Sequence, residues 1–290
     1  MQKSLWYSII FTAIMLVLAS CSEDSNPVDT IETGNFAVRF SNMVGSQPMT
    51  LEARGSANYM YTTATGQDFN FSLFGYYINH IILEGPNGEY FADEMNVSAN
   101  ADEVKGYYQV LQSAPASTRL NLENVPVGTY DKVTFTIGIP EEGVQQGAAG
   151  GVLDPANGAW FWNWNAGYIG FAMEGGAEDS PQEFVDWGGG FTTPENSFAL
   201  HVGGWKDLPP DSTGSQRFVN NVKTLTLSFG TTVVVSESLS PEAHIVVDAL
   251  KLLNDSSLDF STTYAVHAPS SGAPFANAMT SVFILDHVHQ

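Results

Sequence analysis

From Phe36 onward the chain alternates apolar and polar positions in short runs: Phe36-Ala37-Val38-Arg39-Phe40, Phe69-Asn70-Phe71-Ser72-Leu73 and Lys132-Val133-Thr134-Phe135-Thr136-Ile137. A period of two is the signature of strands with one face buried. Val222 to Phe229 and Thr231 to Val235 continue it around Gly230. Turn signals separate the runs: Gly85-Pro86-Asn87-Gly88, Pro126-Val127-Gly128, Asp154-Pro155-Ala156-Asn157-Gly158 and Pro209-Pro210-Asp211. Helical patterning is scarce. Val246 to Leu253 is the best helix candidate, and it also fits a strand running into a short turn. Many short strands with few helices predict an all-β chain, an antiparallel β-sandwich forming one domain over residues 35–290.

The start of the chain reads differently. Lys3 opens it, Leu5 to Leu18 is apolar, and Leu18-Ala19-Ser20-Cys21 closes the run before polar Ser22-Glu23-Asp24. This is the pattern of a bacterial lipoprotein signal over residues 1–20, with Cys21 as the lipidated residue. The run falls short of the about 20 apolar residues of a membrane span. Residues 21–34, rich in Ser, Asp, Asn and Pro, read as the lipidated cysteine and a flexible stalk. Cys21 is the only cysteine, which excludes an intramolecular disulfide and thiolate-rich metal sites. Several acyl chains would anchor the protein stably, on the periplasmic or cell-surface face of the outer membrane.

Without residues 1–20 the chain carries 9 basic and 31 acidic side chains, a formal charge of −22. Such a surface argues against nucleic acid, which requires clustered Lys and Arg. The glycine-rich stretches Gly143 to Gly151 and Gly188-Gly189-Gly190 lack a following Gly-Lys-Ser/Thr and read as loops over one end of the sandwich. Nucleophilic catalysis finds no Gly-x-Ser-x-Gly elbow, and the chain reads as a binding protein, not an enzyme.

The segment Phe135-Thr136-Ile137-Gly138-Ile139-Pro140 and the block Leu153-Asp154-Pro155 to Trp160-Phe161-Trp162-Asn163-Trp164-Asn165-Ala166-Gly167-Tyr168 carry a family resemblance, supported by Phe74 to Leu83, Phe198 to Gly204 and Val282 to His289. Together they resemble the MbnP-like family of extracytoplasmic copper-binding proteins and their lipoprotein relatives. The resemblance implies a copper site built from two histidines and a tryptophan oxidised to kynurenine, the tryptophan two residues before one histidine. It also implies a di-haem redox protein or an outer-membrane transporter as partner. The aligned positions here hold Tyr77 and Asn79, with His80 next door on what period two makes the opposite face, and no Trp-x-His occurs in the chain. The family's kynurenine-type ligand set therefore does not transfer residue by residue.

Imidazole is the best remaining ligand for Cu(I) in a chain without a usable thiol. Of the six histidines, His287 and His289 share a strand face by period two, His201 stands before Val202-Gly203-Gly204, and His267 follows a strand-like run. His201, His287, His289 and His267 are the expected copper ligands. His80 and His244 lie in apolar runs and read as core histidines. Met43, Met49, Met60, Met95, Met173 and Met279 are scattered and read mainly as core. Trp160, Trp162 and Trp164, with Trp187 and Trp205 in glycine-flanked loops, form the rival platform, on which sugar rings of a glycan would stack. Glu174, Glu178, Asp179, Glu183 and Asp186 read as a solvated acidic loop. A structural or assembly lipoprotein without a small ligand is the third reading.

Overall fold

The computed structural model describes residues 31–145 and 149–290. Cys21, the signal and most of the stalk lie outside the described residues. Ten principal strands follow in chain order: β1 (Thr33–Val44), β2 (Asp68–Glu84), β3 (Tyr107–Leu111), β4 (Arg119–Pro126), β5 (Gly128–Ile137), β6 (Gly167–Ala177), β7 (Ser197–Gly203), β8 (Lys223–Val235), β9 (Glu242–Asp248) and β10 (Phe283–His289). Two helices interrupt the C-terminal part, α1 (Ala249–Asp255) and α2 (Pro269–Met279). The first begins where the Asp248 carboxylate accepts from the Lys251 N–H, so the Val246 to Leu253 run is strand and then helix. The second, opened by Pro269 and carrying Pro274, has no counterpart in the sequence reading.

One sheet has the order β10-β9-β1-β4, and the other runs β8-β5-β2-β6-β7 with the short strand Ala265–Val266 at its edge. Most pairs are antiparallel, as expected. Two are parallel, β1 with β9 and β7 with Ala265–Val266. Along β1, Phe36, Val38, Phe40, Asn42 and Val44 are buried, while Arg39, Ser41 and Met43 face outward. Phe40 meets Phe283 of its own sheet and Tyr76 and Phe135 of the other, edge-on, with centroids 6.2, 5.8 and 5.8 Å away. This aromatic contact joins the two layers. A polar relay crosses the same core: Tyr76 Oη donates to Asn42 Oδ1 at 2.9 Å, and Asn42 Nδ2 to Gln112 Oε1 at 3.0 Å. Buried polar groups require such partners.

Strict alternation fails at several β-bulges, where one strand carries an unpaired extra residue, and three of them lie in β2 and β10. In β2 the buried positions step from Phe71 to Phe74 and from Ile78 to Ile81, and the pairing to β6 and β5 shifts at those points. In β10 the pairing passes from Ile245↔Leu285 to His244↔His287, leaving Asp286 unpaired. Neighbours in sequence thereby come to share a face. The second of the β2 bulges brings His80 beside Asn79, and the β10 bulge brings Asp286 beside His287 and His244.

A second apolar cluster lies on the outer side of β2, where Tyr77, Ile139, Val144, Leu153, Tyr168 and Trp205 pack together. The Leu153 to Tyr168 block is its cover. Asp154 accepts from the Ala156 N–H and from Asn157 Nδ2, each at 2.8 Å, and Gly158 ends the turn at φ +95°, a value that favours glycine. Tyr168 Oη donates to the Leu153 carbonyl at 2.7 Å, and Tyr77 Oη to that of Val152 at 3.2 Å. The most distinctive stretch of the sequence thus builds local structure.

Candidate metal centre

The four expected ligands form two pairs on the outer faces of different sheets. His201 belongs to β7, in which Phe198, Leu200 and Val202 turn to the core and Ala199 and His201 away from it. Parallel pairing of Ala199 with Ala265 and Leu200 with Val266 carries His267 to the side of His201. The imidazoles meet Nδ1 to Nδ1 at 3.2 Å, with ring centroids 4.8 Å apart. Glu174 of β6, a cross-strand neighbour, accepts from His201 Nε2 at 2.8 Å. A carboxylate accepts only from an N–H, so this bond places a proton on Nε2 and turns Nδ1 of His201 toward His267.

The pair opens on a cavity of about 380 Å³ lined also by Arg54, Ser72, Trp187 and Tyr264. The hydrogen bond from His201 holds the Glu174 carboxyl below its ordinary pKa, against the opposing effect of burial. Burial, helped by the neighbouring His201, pushes the His267 pKa below that of free imidazole. The His267 shift favours the neutral imidazole a metal requires, and the Glu174 shift favours the carboxylate that orients His201. Glu174 is accordingly half-buried in a strand, not part of a solvated acidic loop.

His287 and His289 share the outer face of β10, Nε2 to Nε2 at 2.7 Å. They are joined there by His244 of β9, whose ring centroid lies 4.9 Å from that of His287, and by Asp286 on its bulge. His244 is not a core histidine. The alternating burial of β9 turns Ala243, Ile245 and Val247 inward and His244 outward. Its outward position was legible in the alternation; Asp286 was not, because only the bulge brings it round.

At the place the family resemblance singles out, Tyr77 Oη is bonded to Val152 and Trp160, and Asn79 Nδ2 donates to the Gly138 carbonyl at 2.5 Å. His80, at φ +49°, lies on the same side as Asn79, bonding its Oδ1 through Nδ1 at 2.8 Å and Glu142 through Nε2 at 2.8 Å. The opposite-face expectation fails because of the bulge. A phenol, an amide and one imidazole, all engaged, do not suit a soft Cu(I) ion. The tryptophans do not form one platform either. Trp160 stands edge-on against Tyr77, Trp164 packs against Phe161, which alternation assigns to the other face, and Trp205 is 7 % exposed. Trp187 is 71 % exposed, at the rim of the His201 cavity.

No curated protein sequence matches this chain. Among solved structures it is similar to MbnP from Methylosinus trichosporium, at 16 % identity over 80 % of each chain, with a TM-score of 0.44. The MbnP family model matches residues 33–270, within which Glu174, His201 and His267 all fall, and the chain belongs to the MbnP family.

Proposed function

We propose that this protein is a lipid-anchored, extracytoplasmic copper-binding protein, a binder and not an enzyme, and that His201 and His267 hold the metal. The observation that carries this reading is the facing pair of Nδ1 atoms at 3.2 Å, with a carboxylate on the far nitrogen of His201. Two nitrogen ligands of one metal ion at about 2.0–2.1 Å stand a similar distance apart. A carboxylate that orients a ligating imidazole is the usual outer-shell partner. A Cu(I) ion bound there would supply a soft electron-transfer or cargo centre. Glu174 holds the His201 ring through its Nε2, and His267 reaches the solvent-exposed mouth of the cavity.

Competition with a chromophoric Cu(I) chelator tests this. His201→Ala and His267→Ala are expected to abolish tight binding, and Glu174→Gln to weaken it by about 10- to 100-fold. Affinity unchanged in both histidine variants refutes the assignment. In the same titration run from pH 8 to 5, affinity is expected to stay level to about pH 6.5, where free imidazole protonates, and to fall below it. The lowered pKa of His267 sets that sign, since a less basic imidazole meets proton competition only at lower pH. A decline already complete at neutral pH would contradict it.

For the anchor, Cys21→Ala is expected to move the protein from the membrane to the soluble fraction. Retention on the membrane would exclude lipidation there. A di-haem redox protein or an outer-membrane transporter is the partner class that fits a copper carrier in this compartment. The exposure of Trp187 at the cavity rim favours a second reading, glycan binding. Quenching of tryptophan fluorescence by polysaccharides, lost in Trp187→Ala, would support it; a flat response would remove it.

A further inference from the structure

Unlike the His201 pair, the histidines of β9 and β10 are arranged around a carboxylate. Asp286 Oδ2 lies 2.8 Å from His287 Nδ1 and 3.5 Å from His244 Nδ1. The donor atoms of His244, Asp286 and His287 all lie within 4.8 Å of one another. Each imidazole is also held at its other nitrogen. Ser41 Oγ of β1 is 2.6 Å from His244 Nε2, and His289 Nε2 is 2.7 Å from His287 Nε2. Both rings are thus oriented with Nδ1 toward Asp286.

The bulge makes this arrangement. In a regular β10, Asp286 and His287 would point to opposite faces. The unpaired Asp286 instead leaves Phe283, Leu285 and Val288 against the core and turns Asp286, His287 and His289 outward.

We propose that His244, Asp286 and His287 form a second metal site, distinct from the His201 pair, which binds a divalent cation of the Zn²⁺ class. Two imidazoles and one carboxylate are borderline-to-hard donors. They suit Zn²⁺ and similar divalent ions better than Cu(I), and three protein ligands leave a coordination position for water or a further ligand. Asp286 and His287 are exposed, so that position faces solvent. Ser41 and His289 are the outer-shell partners that set the ring orientations. The site would also clip the edge strand β10 to β9, and occupancy would raise the thermal midpoint. None of its three ligands touches His201 or His267.

The test uses the full chain in detergent carrying His201→Ala and His267→Ala, titrated with Zn²⁺ alone against a chromophoric chelator. One equivalent is expected to bind. Adding His244→Ala, Asp286→Asn or His287→Ala is expected to reduce affinity more than about 100-fold, and His289→Ala by about 10- to 100-fold, the range of an outer-shell partner. Circular dichroism without metal serves as the folding control for each variant. Co²⁺ titration of the same double variant gives a second reading: a visible d–d band that Zn²⁺ displaces is expected. Failure of the double variant to bind Zn²⁺ overturns the proposal. So does a result in which His289→Ala abolishes binding and His244→Ala leaves it intact, because the metal would then lie between His287 and His289.

Discussion

Phe40→Ala is expected to destabilise the sandwich by about 3–5 kcal/mol, the usual cost of emptying a well-packed phenylalanine site. Phe40 is 2 % exposed and touches aromatic rings from both sheets, so the cavity would open at the join between the layers. Its edge-to-face contacts are worth something beyond buried area. Relaxation would be limited, because Tyr76 is tied to Asn42 through its hydroxyl and Phe283 to β9 through the strand pairing. Thermal or urea unfolding measures the effect, and a loss of about 10 °C in the midpoint is expected for a domain of this size. A shift under about 3 °C would show that the two layers do not depend on this contact.

Gly175→Ala is expected to cost about 3 kcal/mol and, if His201 and His267 hold copper as proposed, to weaken that binding together with it. A Cβ at this position would lie 1.9 Å from the Asn70 carbonyl oxygen and 2.9 Å from Phe198 Cζ. The first obstacle is backbone, so relief requires β2 and β6 to part beside the bulge that precedes Gly175. Glu174 is the adjacent residue, and its hold on His201 would move with the strand. Gly188→Ala is the control. Nothing lies within 4 Å of its Cβ position, although its φ of +82° costs an alanine about 1 kcal/mol. If both variants unfold at the same midpoint and bind copper equally, the crowding argument at Gly175 fails.

The strands were legible because burial of one face imposes a period of two on any strand that lies between core and solvent. Phe36 to Phe40 and Lys132 to Ile137 follow it, and each falls within a strand. Helix α2 was not legible. Proline at both ends of a small-residue stretch hides it, and its burial against β7 supplies what local propensity lacks. The tryptophan block illustrates a different limit. Its alternation suggests a shared face, yet the strand within it is only Phe161–Asn163, too short to hold three indoles in register.

By itself the sequence determined the all-β class, the apolar inner faces, the acid-rich surface and the residue types available to a metal, because each follows from local periodicity or composition. Which histidines meet was decided only by the tertiary structure. His201 and His267 are 66 residues apart and are joined by a parallel strand pair, while His244 reaches His287 across an antiparallel one. Asp286 and His80 reach their partners through bulges. A bulge arises where two strands must keep their buried side chains in the core while their registers differ by one residue. That condition belongs to the pair of strands and to the core between the sheets, and neither strand states it alone.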